Sequence, residues 1–260
     1  MGGESTTRTA PQGGGTGTTQ VGGRLGQRLS GLAVALGLVL FLGGFAWGAL
    51  VYRPYTVPTS SMTPTIDAGD RVLAQRVDGN EVRRGDVVVF EDKSWVTGAK
   101  VVKRVVAVGG DTVSCCTNGK LTVNGKQIDE PYLPEGSLAE IKNFAKVTVP
   151  EGRLFLLGDE RQGSLDSTAH LTDAARGTVA RTAVSARVDA VVWPWKGMLE
   201  RPTGFETLGA LSRPGPLRTI ELLVVAGAVL VLGGGAYGPI AGRLRRSRSR
   251  TARPETAGAR

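Results

Sequence analysis

Two stretches of this chain carry no charged side chain: Leu29 to Tyr52, 24 residues between Arg28 and Arg53, and Leu222 to Gly242, 21 residues ending at Arg243. At about 1.5 Å of rise per residue, each makes a helix long enough to cross a hydrocarbon core of about 30 Å. A helix on the surface of a soluble protein keeps a polar face, and neither run has one. Both therefore read as transmembrane helices, the second weakened in its last turns by Gly233-Gly234-Gly235 and Pro239. The alternatives are a cleaved signal peptide for the first run, where Ala46-Trp47-Gly48 spaces small residues suitably, and a buried core helix for the second. Against cleavage, the first run exceeds the usual signal-peptide core of about 7–15 residues and follows a long polar leader. The expected organisation is a disordered tail (residues 1–28), a span (29–52), an outer domain (53–217), a second span (218–242) and a basic tail (243–260), with residues 1–23 and 244–260 too poor in apolar side chains to fold.

The net charge of +9 and pI near 10 would suit a nucleic-acid partner if they covered a folded face. They do not, because residues 1–29 carry +2 and residues 243–260 carry +6, leaving the 213 residues between them nearly neutral. Cytoplasmic flanks of membrane spans hold the Lys/Arg excess. Arg24 and Arg28 precede the first run, and Arg243, Arg245, Arg246, Arg248 and Arg250 follow the second, whereas Arg53, Arg213 and Arg218 lie on the outer flanks. The bias is clear at the second span and modest at the first. Both termini are expected in the cytoplasm of a multi-pass plasma-membrane protein, and the basic tail is read as a topology signal or a contact with anionic lipid rather than with nucleic acid.

The outer domain reads as β structure. Short β-branched runs recur at Arg71–Val77, Asp86–Phe90, Val101–Val108, Thr112–Ser114, Leu121–Val123, Val147–Val149, Arg153–Leu157 and Thr178–Val192. Asn124-Gly125, between Leu121-Thr122-Val123 and Lys126-Gln127-Ile128, is the pair favoured by a two-residue hairpin turn. No sustained helical period is present, so the expectation is a mostly antiparallel, all-β domain with loops at 92–99 and 130–146. A disulfide scaffold is excluded, since the only cysteines, Cys115 and Cys116, are adjacent. They are left open between a vicinal ring, a bridge to another chain, and a buried reduced pair.

Just past the first span, Val57-Pro58-Thr59-Ser60-Ser61-Met62-Thr63-Pro64-Thr65 clusters hydroxyls between prolines. A nucleophilic serine needs a base. His170 is the one histidine, with Asp159, Asp166 and Asp173 near it in sequence, and a Ser-His-Asp set is one candidate. The other is Lys103 within Val101-Val102-Lys103-Arg104-Val105-Val106, an apolar strand that would desolvate an inward amine and lower its pKa.

Taken in order, these pieces resemble type I signal peptidases, membrane-bound serine proteases that remove signal peptides from exported proteins. The resemblance runs over about residues 30–197 and rests on four motifs. Thr59-Ser60-Ser61-Met62-Thr63-Pro64-Thr65 matches S-x-S-M-x-P-T. Arg84-Gly85-Asp86 with Val87-Val88-Val89 matches the second motif. Lys103-Arg104 followed by Gly110-Asp111 matches the third, with Gly109 replacing its proline. Gly158-Asp159-Glu160-Arg161-Gln162-Gly163-Ser164-Leu165-Asp166-Ser167-Thr168 matches G-D-N-R-x-x-S-x-D-S-R, with Glu160 for Asn and Thr168 for Arg.

The resemblance implies a Ser/Lys dyad: Ser61 as nucleophile, Lys103 as general base, Ser164 holding the lysine amine, and the Ser61 N–H with the Thr59 hydroxyl receiving the oxyanion. Val57, Ile66 and Val102 would line a shallow pocket for small side chains, with the substrate, the signal peptide of a secreted preprotein cut after an A-x-A pattern, extended along a strand edge. Asp159, Arg161 and Asp166 would be scaffold ion pairs rather than catalytic acids, with Arg161 available to Asp166 in place of the missing arginine. His170 would be a surface or structural residue. No metal or organic cofactor is implied. Two competing readings remain, a self-cleaving repressor-type Ser/Lys protease, which two spans oppose, and a membrane-anchored binding or assembly domain with a degenerate site, which Glu160 and Thr168 would suit.

Overall fold

The computed structural model describes residues 21–117, 119–134 and 143–251. They form two compact units, one made of the described residues up to Gly43 and from Leu223 onward, the other of Gly44–Leu222.

The first unit consists of most of α1 (Val21–Val51) and α2 (Leu217–Thr251). Within them Gly26–Val51 and Leu217–Tyr237, 26 and 21 residues, are long and apolar enough to cross a membrane. Where the two helices meet, glycine lets the backbones touch: a Cβ on Gly37 would lie 2.8 Å from the Gly227 carbonyl oxygen, and one on Gly227 would lie 2.5 Å from the Phe41 nitrogen. The Ser30 hydroxyl donates across the same seam to the Gly234 carbonyl at 2.7 Å. Small residues at such a seam are what lipid-embedded helices use to associate, because burial of apolar surface gives them no advantage over lipid. Meanwhile Leu29, Leu32, Leu36, Val39, Val229 and Leu232 are exposed.

Two helix limits differ from expectation. α1 begins at Val21, ahead of the uncharged run, and α2 does not stop at Gly242 but continues to Thr251 through the segment expected to be disordered. Arginine is among the better helix formers, so a helix already nucleated propagates through an Arg-rich stretch. The tail expectations for residues 1–20 and 252–260 lie outside the described residues.

The second unit is built from two antiparallel sheets and short 3-10 turns, the mostly-β class that the sequence implied. The strands are β1 (Tyr52–Thr56), β2 (Arg71–Gln75), β3 (Val87–Phe90), β4 (Val101–Val108), β5 (Thr112–Thr117), β6 (Lys120–Val123), β7 (Lys126–Gln127), β8 (Phe144–Thr148), β9 (Arg153–Leu157), β10 (Thr178–Ala180), β11 (Val184–Trp193) and β12 (Trp195–Met198). The larger sheet runs β1-β2-β11-β3-β4-β9-β10 with β12 added to β11, and the smaller runs β7-β6-β5-β8. Asn124 and Gly125 both take positive φ, 53° and 77°, as the tight β6–β7 hairpin requires.

Three strand expectations needed correction. The run from Thr178 to Val192 is interrupted by a 3-10 turn at Arg181–Ala183, where the Arg181 guanidinium donates to the carbonyls of Gly79 (2.6 Å) and Val82 (3.1 Å). β1 begins at the last residue of the uncharged run and carries Arg53 and Pro54; it lies on a sheet edge, where a proline is tolerated. β12 carries Lys196 and Gly197 and shows no alternation. Of the 130–146 loop, residues 135–142 lie outside the described residues and Phe144 onward is strand.

β4 runs through the middle of the larger sheet, and its residues Val102 to Ala107 are all buried, including two cations. Since successive side chains on a strand point to opposite faces, Lys103 and Arg104 enter different environments. That divergence sets up the site.

Candidate active site

Ser61 lies in a loop whose apolar residues are pulled inward while its hydroxyls stay near the surface. The Val57 N–H donates to the Asp70 carbonyl (2.9 Å), Thr63 to Ser60 (3.0 Å) and Ile66 to Met62 (2.9 Å). Val57, Met62 and Ile66 enter one apolar cluster with Val72, Val89 and Val102. The expected pocket residues Val57, Ile66 and Val102 are thus brought together, Val102 being the most accessible of the three at 8%. Thr59 and Ser60 are left exposed and Ser61 half-buried.

On β4, Lys103 sits opposite Val88, and its amine donates to Ser61 Oγ at 2.6 Å. The lysine is 3% exposed. Burial pushes its pKa down to about 8, against the opposing pull of the Asp166 and Asp159 carboxylates. The Thr59 hydroxyl donates to the same Ser61 oxygen at 3.2 Å. His170, by contrast, stacks on Trp95 with ring centroids 4.5 Å apart and pairs through Nδ1 with Asp173 at 2.7 Å.

Ser164 is buried, packed against Gly158 next to the Ser61 carbonyl: a Cβ at Gly158 would collide with both Ser164 Oγ and the Ser61 carbonyl. The expected hydrogen bond from Ser164 to the lysine amine is not formed. Its hydroxyl has no hydrogen-bond partner among the described residues, the amine being directed at Ser61 instead.

The expected pairing of Arg161 with Asp166 is also corrected. Arg161 Nε donates to the Gly158 carbonyl (3.0 Å), which turns its guanidinium toward Glu130 for a bidentate pair at 2.5 and 2.9 Å. Asp159 belongs to Arg104, bonded at 2.8 and 2.6 Å, and also accepts from the Thr65 hydroxyl at 2.5 Å. Asp166 takes no arginine. It accepts from the Gly158 N–H (3.0 Å), the Thr168 N–H (3.0 Å) and the Thr168 hydroxyl (2.7 Å). Thr168 therefore supplies a neutral donor where the motif has arginine, and Glu160 caps its own turn by accepting from the Gly163 N–H. Both motif departures are thus absorbed by local hydrogen bonds.

Glu130 and Tyr132 escaped the sequence reading because they fall in a stretch read as loop. The available signal was indirect: buried arginines demand carboxylates, and Asp159 alone cannot serve both Arg104 and Arg161. Cys115 and Cys116 form a vicinal disulfide, the first of the three alternatives.

The family model described as signal peptidase, peptidase S26, matches residues 29–193. Signal peptidase I of Mycobacterium tuberculosis is 34% identical over 193 residues, covering 55% of this chain and 66% of the relative. A probable signal peptidase I of Mycobacterium leprae is 33% identical over 224 residues, covering 64% and 76%. The matched regions therefore span about two thirds to three quarters of these relatives. The solved structure of a signal peptidase I from Enterococcus faecalis is 25% identical, covers 45% of this chain and 96% of that one, and gives a TM-score of 0.32. The serine and lysine hydroxyl–amine contact thus sits inside a stretch that a family model covers over more than half of the chain, and the chain belongs to the signal peptidase family, peptidase S26.

Proposed function

We propose that this chain is a signal peptidase I acting as a membrane-anchored serine endopeptidase, with Ser61 as nucleophile and Lys103 as general base. The observation that carries the reading is the 2.6 Å contact between Lys103 Nζ and Ser61 Oγ, made by a lysine that is almost wholly buried. Neutral Lys103 takes the Ser61 proton as Oγ attacks the scissile carbonyl. The Ser61 N–H and the Thr59 hydroxyl receive the developing oxyanion, and the lysine returns its proton to the departing amine of the mature protein. The acyl-enzyme retains the signal peptide until a water, deprotonated by Lys103, releases it. Substrate runs extended along the edge of β4 at Val101–Lys103, which β9 leaves unpaired by starting its ladder at Arg104. Small side chains of an A-x-A pattern fit against Val57, Ile66 and Val102. The arginines beside the two helices support a topology with both termini in the cytoplasm and the site outside.

The test is a preprotein with an Ala-x-Ala site incubated with the purified full chain, the new N-terminus being read by mass spectrometry. Cleavage after the second alanine, absent in Ser61→Ala, is expected, and no cleavage by the parent protein would sink the reading. For topology, a probe in loop 92–99 should be labelled from outside the cell and one at 250–260 should not; the reverse pattern would invert the assignment.

A further inference from the structure

Four charged residues around the site are almost fully buried: Glu130 and Arg161 at 5% exposure, Arg104 and Asp159 at 2%. Buried ion pairs of this kind are seldom more stabilising than the apolar residues that would fill the same volume, so stability does not explain them. What they do is fix positions. Arg161, gripped by Glu130, holds the Gly158 carbonyl at 3.0 Å, and the same turn holds the Ser61 carbonyl through the Glu160 N–H at 3.2 Å. The Tyr132 hydroxyl donates to Glu130, and its ring lies under the Arg104 guanidinium, 3.8 Å from carbon to centroid. Arg104 in turn holds the Gly85 carbonyl (2.9 Å) and Asp159, and Asp159 holds Thr65, at the far end of the nucleophile loop. The loop bearing Ser61 is thus tied at two points, Ser61 itself and Thr65, and both ties lead back to Glu130 and Tyr132.

We propose that Glu130 and Tyr132 are positioning residues for the Ser61–Lys103 pair, acting through Arg161 and Arg104 without touching substrate. The proposal rests on the dyad reading above. Neither residue belongs to a motif that carries the family resemblance, and neither reaches Ser61 or Lys103 directly. Their effect is on geometry. A misplacement of about 1 Å at reacting atoms costs about 100-fold in rate, while binding of an extended peptide along a strand edge tolerates it.

Two measurements test this, each made well below the unfolding midpoint of every variant. First, Glu130→Gln should lower kcat about 10-fold or more with KM held within about 2-fold, the signature of a contribution felt in the transition state. Tyr132→Leu should do likewise, whereas Tyr132→Phe, which keeps the ring under Arg104, should lose only a few-fold. Second, in a Ser61→Cys background the lysine draws the proton from the introduced thiol, so the rate of its alkylation by iodoacetamide reports the alignment without any preprotein. Adding Glu130→Gln or Tyr132→Leu should slow that alkylation about 10-fold. If Glu130→Gln does not fold, the Tyr132→Leu and Tyr132→Phe pair carries both measurements. An alkylation rate and a kcat within about 2-fold of the parent, or a loss appearing only in KM, would overturn the proposal. If the parent cleaves no preprotein yet the alkylation slows as expected, the substrate reading fails and the positioning roles stand.

Discussion

Lys103 and Arg104 are neighbours on one strand, both buried, and the two faces of β4 treat them oppositely. Arg104 is given a bidentate carboxylate, a backbone carbonyl and an aromatic ring, so its charge is fixed in place. Lys103 is given a serine hydroxyl among valines, with Asp166 and Asp159 acting only at a distance, and its pKa falls to about 8. Desolvation acts on both cations, and only one is compensated. A carboxylate in contact makes a buried cation permanent, and withholding it makes the proton available for chemistry.

The largest way to break the contrast is to make the lysine permanent. Lys103→Arg should lower kcat/KM by about 10⁴-fold or more, as loss of a catalytic base does, because a guanidinium stays charged at any working pH. His170→Ala should stay near the parent in the same assay; parity between the two losses would move the base to His170. Next, Thr59→Val removes the hydroxyl proposed as an oxyanion donor and should cost about 10²–10³ in kcat. A loss of only a few-fold would assign that donor elsewhere.

Stability offers a test of opposite signs. Because the folded pKa of Lys103 lies below its unfolded value of 10.5, the folded state binds fewer protons between pH 8 and 10.5, and stability rises with pH through that window. Below about pH 8 the full penalty of about 3 kcal/mol is present. Lys103→Met should therefore stabilise the protein at pH 7 by about 2 kcal/mol, net of about 1 kcal/mol for the lost Ser61 contact, with the gain fading toward pH 10.5. Arg104→Met should instead destabilise by about 3–5 kcal/mol, since Asp159 is left buried without its cation. Denaturant titrations of the two variants at pH 7 that shift in the same direction would refute the contrast. The smallest effect is on the pH profile. The acidic limb of kcat/KM should lie near pH 8, and Asp166→Asn, by removing a charge that raises the lysine pKa, should move it to lower pH. An unmoved limb would leave burial alone responsible.

The parts of this arrangement set by local pattern were legible in the sequence. β4 reads from its valines, the β6–β7 turn from Asn124-Gly125, and Ser61 and Lys103 from ordered motifs. The carboxylate partners were not, because they are decided by long-range packing. Arg161 is five residues from Asp166 and 31 from Glu130, yet it pairs with the latter once Gly158 fixes its Nε. Ser164 shows the same limit: the motif supplies the residue, and only the packing against Gly158 shows that its hydroxyl is buried without a bond. β1 was masked by the apolar helix sequence it follows, and the break at Arg181 depends on its contact with Gly79, a hundred residues earlier.

The meeting of Gly37 with Gly227 bears on how the protein can be taken apart. Each helix presents a trough shaped for the backbone of the other, and lipid chains fill such a trough poorly. The natural unit of removal is therefore the pair. A version lacking only α2 would keep a helix whose complementary surface is gone, whereas one lacking both leaves neither trough open. For the same reason, libraries that enlarge side chains at random in the two apolar runs should find most positions forgiving and these two glycines closed.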